Sequence, residues 1–223
     1  MIITKFISSP NYNERKADTI DMLVIHYTDT IDIMESIDIL THPDKEVSAH
    51  YLIDINGDII QMVDESMRAW HAGKSFWRGI TDINSHSIGI ELQNPGHGNG
   101  YVEFPDAQMD SLVVLCKDIL ERHEIPALNI VAHSDIAPAR KKDPGELFDW
   151  AFLSRNGIGL YPEAAANMDS PKAINDILIE IGYDPDVSDD ERLTAFKRHF
   201  GWNDSDAELK QKAVSLLSTS QPA

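Results

Sequence analysis

The sequence predicts a mixed α/β domain, with helices packed on a central sheet, followed by a small three-helix bundle. Three observations predict it. Short apolar runs of strand type alternate with helix-period segments over the first two thirds of the chain. An Asn56-Gly57 pair separates two of those runs, a strong hairpin signal. Beyond about residue 165 the strand-type runs stop and three amphipathic segments follow.

The first run, Leu23-Val24-Ile25, reads as a buried strand delivering His26. Residues 31–40 read as a modest helix. Ala49–Asp54 and Asp58–Val63 flank the Asn-Gly turn as a hairpin. In Ser87-Ile88-Gly89-Ile90-Glu91-Leu92, strand alternation puts Ser87, Gly89 and Glu91 on one face and the three aliphatic residues on the other. Residues 106–123 form the clearest long helix, with Met109, Leu112, Val113, Cys116, Ile119 and Leu120 in one stripe. Asn129–Ala132 is a further strand, ending at His133. In the last third, Ile174, Ile177, Leu178 and Ile181 mark a helix ended by Gly182. Ser188/Glu191 and Ser205/Glu208 have capping-box spacing and open two more. The expected units are a catalytic domain over 1–165 and a bundle over 170–219, with a linker around Met168–Pro171 and a frayed Ser-Thr-Ser-Gln-Pro-Ala tail.

Composition narrows the function. A hydrophobic fraction of 42 % in 223 residues supports a sizeable core. The formal net charge of −18 argues against nucleic acid and anionic lipid as partners. A single cysteine, Cys116, excludes an internal disulfide and a cysteine-based zinc cluster, so any metal must be held by His, Asp or Glu. No run approaches the roughly 20 apolar residues that span a bilayer, and the first residues do not read as an export leader. The cytoplasm is therefore the expected compartment, with the cell envelope as the alternative if a leader has been removed.

Nine histidines are present, and most need no chemical role. His42, His86, His97, His123 and His199 read as surface or half-buried groups. His26 and His133 differ, because each ends a predicted strand, where a rigid scaffold presents side chains to a cleft. Catalytic zinc takes three N or O ligands and leaves one position open. His26, His133 and Asp143 would supply two neutral imidazoles and a carboxylate, leaving the ion near +1, enough to acidify water and polarise a carbonyl. Glu91 suits a general base and Lys141 an oxyanion partner. Arg140 and Lys142 read as solvated or loop-pairing cations, and Asp135, two residues from His133, is a further carboxylate candidate.

Five blocks then occur in order. They are Val24-Ile25-His26-Tyr27-Thr28, Ser48-Ala49-His50-Tyr51-Leu52-Ile53, Ala69-Trp70-His71-Ala72-Gly73, Ser87–Leu92, and Ala132–Pro138 running on to Lys141-Lys142-Asp143-Pro144-Gly145. Together, over roughly residues 20–162, they resemble the zinc N-acetylmuramoyl-L-alanine amidase family, more narrowly its AmpD and AmiD type. The resemblance implies a central mixed sheet flanked by helices, shared with peptidoglycan recognition proteins. It implies Zn2+ on His26, His133 and Asp143, Glu91 as catalytic carboxylate and Lys141 as partner cation. Asp135 is set aside because Asp143 matches the position that the resemblance implies. It also implies a substrate groove with Trp70, His71 and Asn84, and Arg78 is a candidate to pair with a stem-peptide carboxylate. The C-terminal helices resemble the small peptidoglycan-binding bundle of AmiD-type enzymes, with Thr194–Phe200 the best-matching stretch.

The expected function is hydrolysis of the amide between the lactyl group of N-acetylmuramic acid and L-alanine, on muropeptides or cell wall, by a monomer. Two rivals stand beside it: a recognition protein that binds peptidoglycan without turnover, and a zinc hydrolase acting on a different amide.

Overall fold

The structure, a computed structural model, describes residues 2–165 and 170–220. Six strands form one mixed sheet: β1 (Lys5–Phe6), β3 (Met22–Tyr27), β4 (Tyr51–Ile53), β5 (Ile59–Gln61), β7 (Ser87–Leu92) and β8 (Ile130–Ala132). Their spatial order is β1-β5-β4-β7-β3-β8. The β4/β5 hairpin is antiparallel, whereas β4, β7, β3 and β8 run parallel to one another. A separate two-stranded ribbon pairs β2 (Tyr12–Glu14) with β6 (Met67–Ala69).

Strand alternation sorts the core into layers. Leu23 and Ile25 of β3 and Ile88, Ile90 and Leu92 of β7 point to one face. There they meet α4 (Asp106–Arg122), whose Leu112, Cys116 and Ile119 are fully buried, and Leu153 of the short helix α6 (Trp150–Arg155). The opposite face is divided. Over β4 and β5, Leu52, Ile60 and Met62 pack against Leu40 of α1 (Ile33–Thr41). Over β3 and β8, Met22, Val24 and Val131 pack against the C-terminal helices α7 (Ile174–Ile181), α8 (Asp189–Phe200) and α9 (Asp206–Ser220). Between these patches runs β7, whose side chains on this face are Ser87, Gly89 and Glu91. The sheet thus carries a polar stripe flanked by two apolar ones.

The bundle is accordingly one layer of the fold. Ile177, Leu178, Phe196, Phe200 and Leu216 share a single buried cluster with Met22, Val24, Trp77 and Ile136. A buried polar contact adds to it. Asp135, on the short helix α5 (His133–Ile136), is fully buried. Its carboxylate accepts from the Ala132 N–H at 2.8 Å, the Tyr183 hydroxyl at 2.7 Å and His199 Nδ1–H at 2.6 Å. The His199 ring stacks on Trp150 at 3.7 Å. His199, expected as a surface or half-buried group, is instead buried in this contact between the bundle and the sheet domain.

Most expected elements occur. The helix expected at 31–40 is α1, and Asp32 caps it by accepting from the Met34 and Glu35 N–H groups. The Ser188/Glu191 capping box forms in full, and Ser205 and Glu208 exchange the same pair of hydrogen bonds. The hairpin strands are shorter than expected. The tail is not frayed at its start, because Ser218 and Thr219 hydroxyls bond back to carbonyls of α9. Met168 and Asp169 of the expected linker lie outside the described residues. Among the described residues no helix is long and apolar enough to cross a membrane.

Candidate metal centre and active-site cleft

Backbone pairing sets the site. In the β3/β7 register His26 lies directly opposite Glu91, and on the other side Ile25 lies opposite Ala132. His133 follows Ala132 as the first residue of α5, so both imidazoles leave the carboxyl ends of adjacent parallel strands. Asp143 arrives on the loop after α5. Its carbonyl accepts from the Ser134 N–H at 3.0 Å, which ties the loop back to the helix. Arg140 clamps the same loop, donating to the carbonyls of Ala72 and Lys74, each at 2.7 Å.

Three donor atoms converge. His26 Nδ1 and His133 Nδ1 are 2.9 Å apart, and Asp143 Oδ2 is 3.0 Å from the first and 2.9 Å from the second. All three residues are buried. Hydrogen bonding does not account for this triangle, because each pair of atoms would need its own proton. A single ion does: with edges near 3 Å, a point roughly 2 Å from all three corners exists, the zinc–nitrogen and zinc–oxygen bond length. Burial, with His133 close by, pushes His26 down to about 4, so it is a neutral imidazole at neutral pH. Burial alone would raise Asp143, but the two imidazoles hold it below the usual carboxylate range. Two neutral nitrogens and one carboxylate are the donor set of a catalytic zinc site with an open fourth position.

His133 and Asp143 of the triangle line a cleft of about 480 Å³, within the range of small-molecule sites. Glu91 and Lys141 line it, with Tyr27, Asp29, His97 and Lys142 on the walls. Glu91 Oε2 is buried with no hydrogen-bond partner among the described residues. Burial first, then the Asp143 charge, raises its carboxyl well above the ordinary value, while Lys141 opposes the shift. A carboxyl held up in this way, facing a cleft, is suited to taking and returning a proton.

The expected substrate-facing residues are placed differently. Asn84 is buried, and its Oδ1 accepts the N–H groups of His71 at 3.1 Å and Ala72 at 2.8 Å. Trp70 is half-buried outside the cleft and donates from Nε1 to Asn13 Oδ1 at 2.6 Å. Arg78, at φ 51°, donates to the carbonyls of Ile181 and Gly182 at the end of α7. Asn84 and Trp70 thus use side-chain polar atoms within the fold, whereas Arg78 is exposed and its guanidinium bonds the Ile181 carbonyl. His71 touches the cleft but is only 5 % exposed, and its Nδ1 meets His26 Nε2 at 3.0 Å. Nothing in the local sequence singles out His97. It stacks on Tyr101, accepts from the Tyr27 hydroxyl at 2.8 Å and faces Glu146 at 3.2 Å, bracing the cleft wall.

Comparison with known proteins agrees with this geometry. Residues 16–146 match the N-acetylmuramoyl-L-alanine amidase family. The chain is 41 % identical over 231 residues to N-acetylmuramoyl-L-alanine amidase AmiD of Escherichia coli K12, covering 89 % of this chain and 82 % of that protein. It is 36 % identical over 163 residues to 1,6-anhydro-N-acetylmuramyl-L-alanine amidase AmpD of the same strain, covering 65 % of this chain and 87 % of AmpD. A solved E. coli AmiD complex with anhydro-N-acetylmuramic acid-L-Ala-D-gamma-Glu-L-Lys superposes with a TM-score of 0.78 at 38 % identity, over 94 % of this chain and 98 % of that one. With residues 16–146 matching the family and 41 % identity over most of both chains, the chain belongs to the N-acetylmuramoyl-L-alanine amidase family.

Proposed function

We propose that this chain hydrolyses the amide joining the lactyl group of N-acetylmuramic acid to the L-alanine of the stem peptide, on muropeptide or peptidoglycan, and that its metal is zinc held by His26, His133 and Asp143. The observation that carries this reading is the donor triangle beside the buried, unpartnered carboxyl of Glu91. Zinc bound there supplies Lewis acidity and lowers the pKa of water in the cleft.

Glu91 accepts the proton of the water that attacks the lactyl carbonyl carbon. The carbonyl π pair moves to oxygen, and Lys141 stabilises the resulting negative charge. When the tetrahedral intermediate collapses, the C–N bond breaks and Glu91 delivers its proton to the departing L-alanine amine. Water is consumed and no redox change occurs. The products are a lactyl carboxylate and a peptide that begins with L-alanine.

Every group in this scheme comes from one chain, which supports action as a monomer. Catalysis is assigned to residues 1–165. The bundle over 170–219 is assigned first a structural role, because it covers β3 and β8. Wall contact by the bundle is a separable second role, to be tested by point changes on its outer face.

The test is product analysis by mass spectrometry on anhydro-muropeptides and on whole sacculi. Stem peptides beginning with L-alanine are expected from the zinc-loaded enzyme, and none from a zinc-loaded, folded Glu91→Ala variant. Wild-type turnover by that variant would overturn the assignment. Cleavage at a different amide would favour a hydrolase of other specificity, and binding without turnover a recognition protein.

A further inference from the structure

We infer that His71 is a positioning residue for the metal: it locks His26 in the tautomer that leaves Nδ1 free to ligate. The inference rests on the metal reading above and adds a role for a residue that touches neither the ion nor the reacting bond.

The direction of the hydrogen bonds carries the argument. Ser87 Oγ lies 2.7 Å from the Ile83 carbonyl oxygen, which can only accept, so the Ser87 hydroxyl hydrogen is committed there. His71 Nε2 is 3.1 Å from Ser87 Oγ and must therefore be the donor in that contact. A neutral imidazole carries one N–H, so His71 Nδ1 is left as a bare lone pair. His26 Nε2 lies 3.0 Å from that lone pair and donates to it. The hydrogen of His26 is then on Nε2, and Nδ1 faces His133 and Asp143 unprotonated, as a ligand must. A backbone carbonyl at one end of this relay thus fixes the proton position at the other.

Two further observations point the same way. The His71 ring lies directly on Gly89 of β7, and a Cβ at 89 would collide with it. The one-face series Ser87, Gly89, Glu91 therefore reads as anchor, seat and catalytic carboxyl on a single strand. The backbone around His71 is also fixed. Asn84 Oδ1 takes the N–H groups of both His71 and Ala72, and the Ala72 carbonyl accepts from His133 Nε2–H at 3.1 Å. The second imidazole ligand is thus held in the same tautomer by the neighbouring residue. Outer partners of this kind typically tune metal affinity 10–100-fold.

The experiment has two parts. In the first, 15N NMR of metal-free wild-type protein reads the His26 tautomer directly. The Nε2–H form is expected, and an Nδ1–H form would overturn the inference without recourse to any variant. In the second, zinc affinity is measured by chelator competition, with circular dichroism to confirm folding. His71→Phe, which removes both ring nitrogens, is expected to weaken zinc binding about 10–100-fold. His71→Asn, whose side-chain oxygen occupies the position of Nδ1, is expected to recover most of that loss. Equal affinity of wild type and the Phe variant would overturn the positioning role and leave the metal site standing. A wild-type protein that binds no zinc would overturn the metal reading and this inference with it.

Discussion

Removing the His199 imidazole by His199→Ala asks whether the bundle and the sheet domain fold as one unit. Asp135 is fully buried and has three partners, two of them, Tyr183 and His199, from the bundle side. Deleting the imidazole removes a hydrogen-bond partner from a buried carboxylate, about 1.5–3 kcal/mol. The lost stacking on Trp150 acts in the same direction. For a chain of this size that corresponds to a drop in Tm of roughly 3–12 °C. Tyr183→Phe deletes a single hydrogen bond to a charged group, about 1.5–3 kcal/mol. Both changes act through one carboxylate, so in an Asp135→Asn background the cost of each should shrink markedly. The assay is urea unfolding followed in parallel by far-UV circular dichroism and residual amidase activity. One transition, shifted equally in both signals, is expected. If the bundle melted in a separate, earlier step while the activity midpoint stayed at its wild-type value, the shared-core reasoning would be refuted.

Three other outcomes follow from the site and its surroundings. Lys141→Ala should lower kcat on the order of 10²–10³-fold with zinc content unchanged, and steady-state kinetics on an anhydro-muropeptide checks it. Chelation should abolish turnover and lower Tm, since a ligand at 100 times its Kd contributes about 2.7 kcal/mol; zinc should restore both. Acid should destabilise the metal-free protein. Burial first, then Arg15, pushes His50 from 6.5 down to about 3, so between those values the unfolded chain takes up a proton that the folded chain refuses. Stability therefore falls as pH drops below about 6.5, and His50→Gln should flatten a plot of urea midpoint against pH.

How far the sequence could be read depends on the kind of interaction. Local chemistry was legible: the α4 stripe, the Asp32 and Ser188 caps and the β7 alternation each depend on residues a few positions apart. The candidate metal-binding group was legible because His26 and His133 end strands and because the ordered blocks resemble a known family. What could not be read was which side of a side chain faces what. Trp70, Asn84 and Arg78 stand in or near the matching blocks, yet each hydrogen-bonds the fold, and that depends on partners 57, 13 and 103 residues away. Asp135 was set aside as a ligand, and its buried contact with His199 spans 64 residues and leaves no local trace. The bundle read as an appended module because its apolar stripes reveal that something is covered, not what. Met22, Val24 and Val131 supply the answer only once the sheet is assembled.

The ladder that sets His26 opposite Glu91 and Ile25 opposite Ala132 has a consequence for how this chain tolerates insertion and deletion. The candidate ligands are separated by 107 residues in one case and 10 in the other, and none of that spacing is itself constrained by the chemistry. Connecting segments between β3, β7 and β8 can lengthen or shorten at a small entropic cost, since doubling a loop adds only about 0.6 kcal/mol. A single residue added inside β3 upstream of His26 is a different event. It would turn the imidazole to the α4 face and bring an apolar neighbour into the metal triangle. Natural and engineered length variation should therefore gather in the loops that rim the cleft, where it alters which wall fragments enter while the ion and its carboxylate stay in register.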